Sequence, residues 1–207
     1  MRLWLIRHGE TDHNIRGVFQ GQLDTPLTDR GVEQAAQTGR ALAEIVRFDR
    51  IYASDLQRAM QTARAVGEAQ GAEVRADPRL RELHYGVLQG VAYTDFRTVL
   101  EEHGLEADWG PGVFSQSGIA APGGESLDDL VARLDAFIEH VSRNDGEAKD
   151  VAAVAHGGSL RTIMTILLGL PPLDRGKFAM SNCGVTQLAL VDGHWRLEFH
   201  NRVFWEC

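Results

Sequence analysis

Arg7, His8 and Gly9 follow directly on the apolar run of residues 3–6, and His156, Gly157 and Gly158 follow in the same way on the run 151–155. Each unit delivers an imidazole to the point where a buried strand stops. A third apolar segment, 51–53, ends just before a helical stretch that carries Arg58 in its first turn. In open parallel sheets, ligands sit beyond the carboxyl ends of the strands, so Arg7, His8, Arg58 and His156 are expected around one site. Two arginines offer forked donors that match phosphate oxygens. The helix after His156 should point free backbone N–H groups and its positive end toward an anion. Gly9 and Gly157 permit unusual φ angles where an anion meets the backbone. An imidazole held neutral in such a pocket can attack phosphorus.

That attack needs an acid for the departing alkoxide. The stretch "LRELHYGVLQG" supplies Glu82 outside the regular helices, and shielding a carboxyl group from water near phosphate favours a proton-donor role. His84, two residues on, is the weaker candidate. Taken singly, each of these residues reads as a packing or surface group; the paired strand–His-Gly units with matched Arg and Glu positions are what point to catalysis. The remaining histidines, His13, His103, His140, His194 and His200, have no metal-ligand spacing, and no carboxylate cluster offers oxygen ligands. No metal and no other cofactor is expected.

The elements that position these groups alternate. After strand 3–6, "LTDRGVEQAAQTGRALAEIV" places Val32, Ala35, Ala36, Gly39, Leu42, Ala43 and Val46 at helical spacing. "DRIYA" reads as a strand and "SDLQRAMQTARAV" as a helix, with Ser54 and Gln57 forming a capping box. Ser126 should cap a helix burying Leu127, Leu130, Val131, Leu134, Phe137, Ile138 and Val141. "DVAAVA" is a strand, "GGSLRTIMTILLG" a helix, and the end of the chain a hairpin about Asp192-Gly193. The pattern predicts an α/β fold, a three-layer α/β/α sandwich around a mixed, mostly parallel sheet with one antiparallel edge strand. A single domain over 1–207 is expected, with a Gly/Pro-rich insertion at about 91–125, after a short helix near Tyr93 to His103, that could cover the site.

Composition narrows the partners. Apolar residues make up 43% of the 207, enough for a substantial core, and the net charge is −8. That charge argues against coating nucleic acid, and an anionic substrate must find a locally positive pocket. No run approaches the length of a membrane span, the N-terminus lacks the regions of a signal peptide, and the two cysteines, Cys183 and Cys207, suit a reducing compartment. A cytoplasmic protein is expected, monomer or homodimer, acting on a small-molecule phosphate ester, without nucleic-acid or membrane partners.

"RHGETDHN", "PLTDRG", "ASDLQRAMQTA", "ELHYGVLQG" and "AHGGSLR" together resemble the ordered motifs of the histidine phosphatase superfamily, the phosphoglycerate-mutase-like group, over nearly the whole chain. The resemblance implies a phosphohistidine on His8, phosphoryl binding by Arg7, Arg58 and His156 with Gly157 beside them, and Glu82 as proton donor. It also implies that Asn14 lies close to the phosphate and that Gln20 and Gly21 belong to the substrate-side loop. The superfamily holds both mutases and phosphatases. The mutases resembled follow "YGxLQG" with a lysine and then an adjacent arginine pair; here the stretch after "YGVLQG" has only Arg97, and "HGGS" stands where they carry "HGNS". "MRLWLIRHGET" and "FDRIYASDLQRAMQTA" are similar to bacterial α-ribazole-5'-phosphate phosphatases, which implies a phosphatase of cobalamin assembly. A phosphoglycerate mutase and a catalytically idle phosphate-binding module are the alternatives.

Overall fold

The computed structural model describes residues 1–105, 120–144 and 148–205. Six strands form one sheet: β1 (Arg2–Arg7), β2 (Arg50–Ala53), β3 (Val74–Ala76), β4 (Asp150–Ala155), β5 (Val185–Val191) and β6 (His194–Arg202), in the order β3-β2-β4-β1-β5-β6. The first four strands pair in parallel, β5 runs antiparallel to β1, and β6 closes that edge antiparallel to β5. Asp192 and Gly193 turn the final hairpin with φ of 50° and 79°, the left-handed pair that a tight two-residue turn demands.

Alternation along β1 divides the core between the two faces. Leu3 and Leu5 join Val151 and Ala153 of β4 beneath α5 (Leu127–Asn144) and α6 (Gly157–Leu167), with Leu130, Leu134, Phe137 and Ile163 filling the layer. Trp4 and Ile6 face the other way with Ala152 and Val154, under α2 (Asp29–Ala43) and α3 (Gln57–Glu68), where Leu42, Ala63 and Val66 pack. This is the three-layer sandwich expected from the alternating pattern. β4 is buried along its whole length, which is why it reads as an unbroken apolar run.

Several local expectations change. Val32 is half exposed, because the buried face of α2 runs through Gly31, Ala35, Thr38, Gly39 and Leu42 instead. Ser54 does not cap α3. That helix starts at Gln57 after Leu56, and the Gln57 N–H donates to Asp24 Oδ1 at 2.6 Å. Ser126 does cap α5, its hydroxyl accepting from the Asp129 N–H at 3.2 Å while Asp129 Oδ2 accepts from Ser126 N at 2.9 Å. Two further helices are short, α1 (Asp12–Arg16) and α4 (Phe96–Glu102). α4 anchors Phe96 and Leu100 in the core. Of the expected cover, residues 106–119 lie outside the described residues.

Candidate active site

Sheet register brings the two histidines together. β1 and β4 are paired up to Arg7 opposite Ala155, so His8 and His156 are the first residues past the paired ends of adjacent strands. Their rings are 5.2 Å apart, centroid to centroid. β2 is paired up to Ala53 opposite Val154, which places Ser54 beside His156, and Ser54 Oγ lies 2.8 Å from His156 Nε2. The hydroxyl assigned to a helix cap by its local sequence is therefore spent on a histidine 102 positions away.

The His8 ring has one free nitrogen. Nδ1 lies 2.7 Å from the Gly9 carbonyl oxygen, which can only accept, so Nδ1 carries the hydrogen and Nε2 keeps its lone pair. The backbone is held as firmly: His8 N donates to Ala155 O at 2.9 Å, and Asn182 Nδ2 donates to His8 O at 3.1 Å. Burial, then the charges of Arg58 and Arg7, push the His8 pKa well below its ordinary value, so the ring is neutral at neutral pH. His156 is shifted the same way by burial, by Arg58 and by His8.

Arg7, His8, Asn14, Gln20, Gly21, Arg58, Glu82 and Gly157 all line one cavity of about 180 Å³. His156 lies beneath it, fully buried. The Arg58 guanidinium is also fully buried and is tied to the 20–23 loop, donating to Gly21 O at 2.7 Å and Leu23 O at 2.8 Å. Burial pulls its pKa down to about 10, so it remains a cation at neutral pH. Gly21 thus serves the site twice, lining it and steadying Arg58. Gln20 donates to Thr11 Oγ1 at 3.1 Å, and Asn14 Oδ1 accepts from Asn182 Nδ2 at 3.1 Å. Arg7 Nε, Arg58 Nε and His156 Nδ1 are buried without a hydrogen-bond partner. Unmet buried polar groups are costly, and groups of this kind placed at one cavity are suited to an oxyanion.

The sequence from residue 3 to 203 matches the model of the histidine phosphatase superfamily, branch 1. This chain is a member of that superfamily. A "probable phosphoglycerate mutase" of Enterobacter sp. (strain 638) is 34% identical over 94% of this chain and 87% of its own length. The α-ribazole phosphatase of Shigella flexneri superimposes with a TM-score of 0.86 at 29% identity, covering 98% of this chain and 96% of the other. A mycobacterial glucosyl-3-phosphoglycerate phosphatase superimposes at 0.83 with 33% identity, over 97% and 98%.

In this chain a carboxylate already takes two of the backbone N–H groups at the start of α6, contrary to the sequence-based expectation that they are free for an anion. That carboxylate is Glu82: Oε2 accepts from the Gly158 N–H at 2.8 Å, and Oε1 accepts from Ser159 N at 3.1 Å and Leu83 N at 2.9 Å. A Cβ on Gly158 would stand 2.3 Å from Glu82 Oε1, so the second glycine of "HGGS" admits this approach. Nor do Gly9 and Gly157 use positive φ. Gly9 is needed for contact, since a Cβ there would meet Gly31 O at 2.5 Å. At Gly157 a Cβ would meet only ordinary van der Waals contacts, the nearest at 3.6 Å.

Sequence reasoning missed Ser54, Val18, Tyr85, Tyr93, Gly158 and Arg161, all but Ser54 in the cavity wall. Burial raises the Tyr85 and Tyr93 hydroxyls above their ordinary range, so both stay protonated and able to donate. Arg161 lies four residues after Gly157, one helical turn on, a spacing that could have revealed it.

The two depressed histidines make a stability prediction with a definite sign. Below about pH 6.5 the unfolded chain takes up protons that buried His8 and His156 refuse. Folding stability contributed by these groups is present above that pH and is lost as pH falls. Thermal unfolding from pH 8 to 5 should show the midpoint dropping below about 6.5, less steeply in His156→Gln. An unchanged slope in the variant would count against the assignment.

Proposed function

We propose that this chain is a phosphomonoester hydrolase that works through a phosphohistidine on His8. The observation that carries the reading is the pinned Nδ1, which leaves a neutral Nε2 as nucleophile beside two guanidinium groups. Nε2 attacks phosphorus, forming the P–N bond as the P–O bond to the alcohol breaks. Arg7, Arg58 and His156 stabilise charge on the phosphoryl oxygens. Glu82 gives a proton to the leaving oxygen, then takes one from the water that breaks the P–N bond. Asn14, Gln20, Gly21 and Gly157 shape the phosphate pocket. The cavity of about 180 Å³ fits a small phosphorylated metabolite. The likeness to the Shigella phosphatase makes α-ribazole-5'-phosphate a candidate.

A mutase is the second reading, favoured by the name of the Enterobacter relative. A mutase must retain its product and keep water from the phosphohistidine. The lysine and arginine pair that the resembled mutases use for the phosphoglycerate carboxylate are missing after "YGVLQG", and Arg97 is exposed on α4. Weak retention leaves the phosphohistidine to water, so net hydrolysis is expected. One experiment decides. Wild-type enzyme, before and after exhaustive chelation, is given an aryl phosphate, α-ribazole-5'-phosphate, and 3-phosphoglycerate with a trace of bisphosphate primer. Among the described residues no cluster of three His, Cys, Asp or Glu side chains could hold a metal, so phosphate release should survive chelation. Rapid isomerisation with little free phosphate would restore the mutase, and no turnover of any ester would leave the idle phosphate-binding module.

A further inference from the structure

Glu82 stands on residues 81–85, a stretch without helix or strand between single 3-10 turns at Pro78–Leu80 and Gly86–Leu88. No regular ladder of backbone bonds fixes this stretch, so its carbonyl groups must find partners elsewhere. Arg133 gathers them. Its Nη1 donates to Arg79 O at 2.7 Å and to Arg81 O at 2.6 Å, and its Nη2 donates to Glu82 O at 2.8 Å. The N–H groups left over, on Nε and Nη2, meet Glu125 Oε1 and Oε2 at 2.9 Å each. A guanidinium has five N–H donors, and each of them has its own acceptor here. Glu125 completes the clamp: Oε2 also accepts from the His84 N–H at 2.9 Å, and Glu125 N donates to His84 O at 2.8 Å. Arg133 is carried on α5, whose Leu130, Leu134 and Phe137 are fully buried, so the clamp is built on a rigid helix. Neither Arg133 nor Glu125 lines the cavity.

We propose that Arg133, held by Glu125, is the positioning residue for proton transfer to the leaving group. It acts through Glu82. By gripping the carbonyl groups at 79, 81 and 82 it fixes the backbone from which the Glu82 carboxyl reaches both the cavity and the start of α6. A lysine cannot take this place, because one compact ammonium with three donors does not span three carbonyls and a carboxylate. Position matters at this scale: a shift of about 1 Å in a reacting group can cost on the order of 10²-fold in rate. A pair that served stability alone would slow every ester by the same factor. The inference rests on the reading of Glu82 as general acid in a phosphomonoesterase, so its test has one arm in turnover and one without.

The variants are Arg133→Lys and the milder Glu125→Gln, which carries both arms should the first fail to fold. In Arg133→Lys, kcat on an alkyl phosphate should fall about ten- to a hundredfold, while a nitrophenyl ester stays within about threefold of wild type. Inhibition by inorganic phosphate should change less than about twofold, since Arg7, His8 and Arg58 are untouched. Adding Arg133→Lys to Glu82→Gln should cost the alkyl ester less than about threefold more, because the group being positioned is already gone. The second arm follows amide exchange by NMR. The Gly158 and Ser159 N–H groups bond to the Glu82 carboxylate and not to Arg133, so their exchange should quicken about tenfold or more in Arg133→Lys, relative to Ala153 in β4. Faster exchange with no phosphate released from any ester, wild type included, would support the clamp and sink only the hydrolase reading. Unchanged exchange at Gly158 and Ser159, or equal losses on alkyl and nitrophenyl esters, would overturn the proposal.

Discussion

His8→Ala is expected to lower phosphate release by about 10⁴-fold or more, the scale on which deleting a covalent nucleophile acts. His156 cannot take over. Its Nε2 is committed to Ser54 at 2.8 Å, its Nδ1 is buried, and His156 is not among the residues that line the cavity, as His8 is. The variant should fold. His8 contributes a buried ring and one bond to the Gly9 carbonyl, while the backbone bonds from His8 N to Ala155 and from Asn182 to His8 O do not depend on the side chain. Rapid quenching of wild type with labelled ester should trap an acid-labile, alkali-stable phosphoenzyme that is missing in His8→Ala. A labelled phosphoenzyme in the folded variant, or substantial remaining turnover, would move the nucleophile elsewhere.

The histidines were legible from sequence because the signal is local. An apolar run broken by His-Gly marks a strand end, and parallel pairing of two such strands brings the ends together. The long, periodic α5 was legible for a similar reason, with its stripe and its Ser126 cap both present in the sequence around it. What escaped depends on contacts between distant segments. Ser54 satisfies a capping pattern with Gln57, yet its partner is His156, and nothing within a helical turn of Ser54 announces that. The start of α6 looked open because Glu82, which takes two of its N–H groups, lies 76 residues before Gly158. Val32 keeps helical spacing with Ala35 and Leu42 but falls at the rim of the buried arc, where spacing alone cannot tell a half-exposed position from a buried one.

Glu82→Gln should slow hydrolysis of alkyl phosphates by roughly 10²–10⁴-fold, the usual worth of general acid catalysis. The substitution is not structurally silent, and that decides how it must be read. A glutamine can keep the oxygen that accepts from Leu83 N and Ser159 N, but its NH₂ then faces the Gly158 N–H, donor against donor, in place of the 2.8 Å bond. Losing that bond costs about 1–3 kcal/mol and could shift the segment that lines the cavity. A drop in rate on one substrate is therefore ambiguous between lost acid and lost position. Comparing leaving groups removes the ambiguity, because every phosphomonoester presents the same phosphoryl group to Arg7, His8 and Arg58. A displaced segment should damage all esters alike. Loss of the acid should damage only those whose alkoxide cannot depart without a proton, leaving a nitrophenyl ester within about tenfold of wild type. The slope of log kcat/KM against leaving-group pKa should accordingly steepen in Glu82→Gln. Parallel lines for variant and wild type would reduce Glu82 to the cap that holds the start of α6, and the proton would have to come from another group.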